Sequence, residues 1–235
     1  MTPSARTRYL LRPAASLRYV RYVGGSASRG SVVGPVLVYG ALALVAVGAA
    51  VARGQSPVEL PATETWLPLA ELLGPDAGPL AGHGLSVLGG VGLAVATVLA
   101  TRHFVRRWQW ARALHTDLRP AIRGAGDGTT LILGIASALG EELFFRGLLT
   151  TAFGLIASSL AFGLLHQMRG RVRWVWAGWA TVMGLLFGAL FLATGSLLGA
   201  LVAHAAINVA NLRFLRDTDV DAPKRRHLGG LLRRA

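Results

Sequence analysis

Gly140-Glu141-Glu142-Leu143-Phe144-Phe145-Arg146 places two carboxylates and a guanidinium inside an otherwise apolar stretch, Leu131 to Leu165. A charge at bilayer depth costs at least about 2.5–3.5 kcal/mol on insertion scales, so ionisable residues there mark a site. On a helix Glu142 and Arg146 stand at i and i+4 and can pair. Glu141 is turned about 100° away and finds no partner within the run, which makes it the free reagent. Partners for it lie downstream, in Phe162-Gly163-Leu164-Leu165-His166 and in His204-Ala205-Ala206-Ile207-Asn208.

The surroundings of this motif are those of a membrane. The 235 residues are 53% hydrophobic and 15% charged, with a mean hydropathy of +0.50, too apolar for a soluble domain of this size. The expectation is an all-α, polytopic transmembrane helical bundle. A formal net charge of +13 raises the question of nucleic acid, but the cations cluster between apolar runs instead of forming a basic face on a folded domain. Nucleic acid is therefore not an expected partner; membrane lipid and a peptide or protein substrate are. Cysteine is absent, which removes disulfides, thiolate nucleophiles and cysteine metal sites together.

Six spans are expected: Val32 to Val51, Leu85 to Thr101, Thr129 to Leu149, Leu155 to Gln167, Trp174 to Ala193 and Leu197 to Leu212. Ala50-Val51-Ala52 resembles a signal-peptidase site, but the positive lead is too long and the apolar run too extended, so the first helix reads as retained. Gly89, Gly90 and Gly92 in the second span would let another helix approach closely. The division gives a basic N-terminal segment over 1–31, two accessory spans with their loops over 32–128, a four-helix core over 129–215 and a basic tail over 216–235. Of the 24 Lys and Arg, all but Arg53 and Arg146 fall on the side of both termini. By the positive-inside rule both termini are cytoplasmic, in the plasma (inner) membrane. Arg102 to Gly128 reads as a basic loop, and His83, His103, His115 and His227 read as solvated.

Depth is less consistent. At 1.5 Å per residue His166 lies about 5 Å from the basic turn after it, Asn208 about 8 Å and His204 about 14 Å from the tail, and Glu141 about 18 Å from the start of its span. Hydrolysis of a peptide in lipid needs admitted water, a base for it and donors for the tetrahedral oxyanion. Glu141 and the histidines suit the first task, Asn208 or a second His the last. His204 and Asn208 share a helix face, as do Phe162 and His166, whose rings can pack. Each residue also has a plainer reading: Glu142 with Arg146 as a structural ion pair, and His166 or His204 with Asn208 as interhelical hydrogen-bonding glue. Glu141 has the weakest plain account.

Other intramembrane chemistries fail on the residues. No histidine is followed by glutamate as a His-Glu-x-x-His zinc site requires, and no Gly-x-Ser-Gly occurs. Gly124-Ala125-Gly126-Asp127 matches half of an aspartyl protease dyad, with no second aspartate in any span.

Glu141-Glu142-x-x-x-Arg146, Phe162-x-x-x-His166 and His204-x-x-x-Asn208, in this order on successive membrane helices, resemble the CPBP family of type II CAAX prenyl endopeptidases and bacteriocin-processing or immunity (Abi) proteins. The resemblance covers roughly Thr129 to Leu215. It implies an intramembrane endopeptidase in which Glu141 and His166 activate water while His204 and Asn208 stabilise the oxyanion. Glu142, Arg146 and Phe162 would be supporting residues. It also implies a glutamate-dependent mechanism without a metal cofactor; a zinc ion on Glu141, His166 and His204 is the alternative. A non-catalytic immunity or scaffold protein that keeps the fold is the rival reading.

Overall fold

Twenty consecutive, mostly apolar residues without a charge form α1, Val33–Ala52. In the computed structural model, which describes residues 32–67 and 78–221, α1 is followed by α2, Gly78–Arg107, and a short amphipathic helix α3, Gln109–Leu118. Then come α4, Asp127–Glu141, a π-helical segment Glu142–Thr150, α5, Thr151–Leu165, α6, Arg173–Thr194, and α7, Leu198–Asp217. The basic segment 1–31 and most of the tail, 222–235, with His227, lie outside the described residues. No strand occurs among the described residues, only an isolated bridge between Glu59 and Ser196.

The chain is an integral membrane protein. Among the described residues, five helical stretches are long and apolar enough to cross a bilayer. Their outer faces carry exposed Leu37, Leu44, Val51, Leu88, Leu99 and Leu164, an apolar surface too continuous for water. The expected third and fourth spans form one of these stretches, Asp127–Leu165, folded on itself at Gly154. Gly154 has φ +84°, a conformation glycine alone adopts without steric cost. Beyond it α5 runs back along the π segment: Ser158 donates to the carbonyl of Phe145 at 2.7 Å, and the Phe145 and Phe162 rings meet edge to face at 4.9 Å.

α7 is the central helix, packed along α2 on one side and α4 on another. The α2–α7 crossing uses Gly90 as its composition suggests. A Cβ there would strike the Gly199 carbonyl, and one at Gly199 would strike that of Ser86. Ser86 Oγ ties the crossing by donating to the Ser196 carbonyl at 2.7 Å and accepting from the Gly199 amide at 3.0 Å. Gly89 meets only a Leu190 methyl, and Gly92 faces open space.

At one end of the bundle the 56–67 segment is strapped to the α6–α7 turn. The Leu60 amide donates to the Gly195 carbonyl and the Leu197 amide to that of Val58. His83 does not stand in solvent as its position suggests: Nδ1 lies 2.8 Å from Ser196 Oγ and Nε2 3.2 Å from Glu59. At the other end the expected basic loop contains α3, whose Ala111, Leu114, His115 and Leu118 recur with helical spacing and turn inward. His115 is 3% exposed, which corrects its reading as solvated. Its Nε2 is 2.9 Å from the Thr218 carbonyl, and its ring packs on Phe214.

Gly199→Val forces the α2 and α7 backbones apart and is expected to lower stability by about 1–3 kcal/mol, the cost of overpacking. Gly92→Ala leaves it unchanged or slightly raised; thermal unfolding of the two purified variants checks the contrast.

Candidate active site

Two adjacent glutamates sit where α4 gives way to the π segment, and they have different surroundings. Glu142 is fully buried. Its Oε1 accepts from Arg146 Nη1 at 2.9 Å and from His204 Nδ1 at 2.6 Å. The Arg146 guanidinium, 1% exposed, lies over the Phe162 ring at 4.5 Å and near that of Phe187 at 5.3 Å. Aromatic faces take up part of the charge that a lone carboxylate leaves uncompensated. The i, i+4 pair is as the spacing implies; the His204 bond to Glu142 is not visible in the sequence.

Glu141 is 8% exposed and makes no such bond. Its Oε2 is buried without a hydrogen-bond partner. Facing it are His166 Nε2 at 3.7 Å and His204 Nε2 at 3.6 Å. These are ion-pair separations, too long for direct hydrogen bonds. Both rings are held from behind. His166 Nδ1 is 2.8 Å from the Phe162 carbonyl, and His204 Nδ1 is on Glu142. A carbonyl and a carboxylate only accept, so in each ring Nδ1 carries the hydrogen and Nε2 is the atom offered to Glu141. Stacking of His204 on Phe187, at 5.0 Å and 20°, and of His166 beside Phe162 at 4.3 Å fixes the ring planes.

Gly154 sets Glu141 and His166 side by side. Glu141 precedes it by thirteen positions and His166 follows by twelve, so an antiparallel hairpin brings them level. The arm of α5 beyond Gly154 is about 16–18 Å long and stops short of a full span, and His166 at its end packs against Trp176 in the first turn of α6.

Asn208 lies one turn beyond His204 and donates from Nδ2 to Ser137 Oγ at 2.9 Å. With His166 and His204 it lines a cavity of about 170 Å³ whose other walls include Trp110, Leu114, His115, Trp176 and Leu212. α3 covers this cavity. It is fastened to the chain after α7 by Arg112 on the Val220 carbonyl and Thr116 on Asp221, and, just past its end, by Arg119 on Asp219.

A tetrahedral zinc with bonds near 2.0–2.1 Å to nitrogen sets its ligand atoms about 3.3 Å apart. The 3.6 and 3.7 Å separations around Glu141 Oε2 are wider. Among the described residues no three His, Cys, Asp or Glu side chains are grouped to hold a metal ion.

Residues 128–210 match the family model described as Type II CAAX prenyl endopeptidase Rce1-like. The matched segment contains Ser137, Glu141, Glu142, Arg146, Phe162, His166, His204 and Asn208. A relative, "Uncharacterized protein YpbD" of Bacillus subtilis (strain 168), is 35% identical over 78 residues, 33% of this chain. The match covers 41% of that relative's length. No solved structure matches.

Removing one partner of a buried ion pair strands the other charge, at about 3–5 kcal/mol. Arg146→Ala is accordingly expected to unfold at a much lower temperature than the parent chain. Glu141→Gln, which breaks no hydrogen bond to Oε2, melts at or above it; tryptophan fluorescence during heating in detergent distinguishes the two.

Proposed function

We propose, taking 128–210 as the segment of CPBP type that its motifs and its family match indicate, that the chain is an intramembrane endopeptidase in which Glu141 activates water. The observation that carries the reading is the Glu141 Oε2 atom, buried, without a hydrogen bond, and faced by two imidazole Nε2 atoms. A water seated between these three groups would hydrogen-bond to the carboxylate and be oriented by His166. Glu141 takes its proton, the hydroxide adds to the scissile carbonyl carbon, and the C–N bond breaks as Glu141 returns the proton to the leaving amine.

The developing oxyanion needs donors. His204 is suited to this because Glu142, which it shares with Arg146, accepts its Nδ1 hydrogen and so holds the ring with Nε2 turned to the site. The Asn208 amide provides another donor at the same wall of the cavity. Glu142, Arg146 and Phe162 hold His204 and His166 in place. The substrate is a membrane-associated peptide, with the apolar cavity beside Asn208 receiving a prenyl-like or other greasy group. No metal takes part.

Both termini face the cytoplasm in this reading, with the α3 cavity on the same side. The motivation is the distribution of positive charge together with the grouping of the 56–67 strap and the α6–α7 turn at one end of the bundle and α3 at the other.

With a quenched fluorescent peptide bearing a farnesylated cysteine, the reconstituted protein is expected to cleave at a rate that 1,10-phenanthroline leaves unchanged. Glu141→Gln lowers that rate by about 10²–10⁴-fold, the usual contribution of a positioned base. Cleavage that survives in Glu141→Gln removes the proposal. The lack of cysteine permits a direct test of sidedness. In intact cells an impermeant maleimide is expected to label Gln55→Cys and to spare Gly124→Cys; the reverse pattern inverts the topology.

A further inference from the structure

α4 and α7 run antiparallel and meet in a ladder whose rungs are one helical turn apart. One rung sets Glu141 against His204 at 3.6 Å. The next sets Ser137 against Asn208, four positions earlier on α4 and four later on α7, at 2.9 Å. A third contact brings the backbones together at Gly134, where a Cβ would meet Val209. Ser137 is 6% exposed, so its hydroxyl has no bulk water to choose instead.

The hydrogen-bond pattern at Ser137 is directional. A hydroxyl has one hydrogen, and Ser137 Oγ lies 3.2 Å from the Gly134 carbonyl on its own helix, an atom that only accepts. The hydrogen goes there. The oxygen then offers lone pairs to Asn208, and the amide must present Nδ2 to it. Of the two hydrogens on Nδ2, one is bound to Ser137, and Asn208, half-buried, lines the cavity that His166 and His204 share. Reversing the amide would set its oxygen against the serine oxygen, and the hydroxyl could bond it only by giving up the Gly134 carbonyl.

We propose that Ser137 is a positioning residue: its bond to Asn208 fixes which end of the amide faces the cavity and so supplies the oxyanion with an N–H donor. This rests on the reading of Glu141, His204 and Asn208 as hydrolytic machinery. Ser137 touches no reacting atom. Its effect therefore belongs to the step in which charge develops on the carbonyl oxygen and not to substrate binding, and it acts only through Asn208.

The test uses the full chain in lipid nanodiscs, the farnesylated peptide as probe, and the variants Ser137→Ala, Ser137→Thr, Asn208→Ala and the Ser137→Ala/Asn208→Ala double substitution. Ser137→Ala lowers kcat by about 10–100-fold with KM within about twofold, a loss confined to the transition state. Ser137→Thr, which keeps the hydroxyl, recovers most of it. The double substitution is no slower than Asn208→Ala alone, because a residue that works through another adds nothing once that partner is gone. Unchanged kcat in Ser137→Ala beside a slow Asn208→Ala overturns this inference and leaves the proposed function standing. So does a multiplicative loss in the double substitution, or a Ser137→Ala defect seen only in melting temperature. A parent chain that leaves the peptide intact, or Asn208→Ala and Glu141→Gln that cleave it at the parent rate, overturns the function and this inference with it.

Discussion

The carboxylate of Glu142, buried at the centre of the bundle, is the interaction from which the remaining features follow. It binds a guanidinium from its own helix and an imidazole from α7 through one oxygen. Two elements, the π segment and α7, are thereby held at one point in a medium where unpaired charge is costly. The neighbouring carboxylate of Glu141 is left outside this arrangement. Two acids next to each other in sequence receive opposite assignments because a helical step of about 100° aims them at different neighbours. One is neutralised, and the other faces two imidazole nitrogens without closing a bond to either.

The backbone makes this separation possible at two places. The π-helical turns from Glu142 to Thr150 leave the Phe145 carbonyl open to hydroxyls from Thr150 and Ser158, and so anchor the returning arm of α5. Local widening of this kind is frequently found at functional sites. Gly154 then folds the chain midway between Glu141 and His166, so the two arrive level however the whole hairpin is tilted. Aromatic rings fill the remaining space: Phe162 and Phe187 both lie against Arg146 and steady the imidazoles, which supports the cation and limits ring rotation at once.

The pairing of Glu142 with Arg146 was legible because it obeys helical spacing, and the helical class because apolar runs of membrane length are hard to mistake. What the spacing of residues could not convey was contact between helices. The His204 bond to Glu142 joins positions 62 apart, and the Asn208 bond to Ser137 joins positions 71 apart. Neither Ser137 nor His115 stands out, since a serine in an apolar helix and a histidine in a basic loop are both common. The inward stripe of α3 was present in Ala111, Leu114, His115 and Leu118, but the flanking arginines hid it within what looked like a connecting loop.

The proposed base, Glu141, is buried behind two imidazoles that line the cavity, each at more than hydrogen-bond distance, and the proposal has it act on water and not bond to substrate. The two chemistries leave different atoms behind. Single-turnover cleavage in ¹⁸O-labelled water, followed by mass spectrometry of both product and protein, separates them. Direct attack by water puts one heavy oxygen in the new product carboxylate and none in the Glu141 side chain. Heavy oxygen recovered in Glu141 would mean that its carboxylate had formed an acyl intermediate, contradicting the assignment of Glu141 as the base.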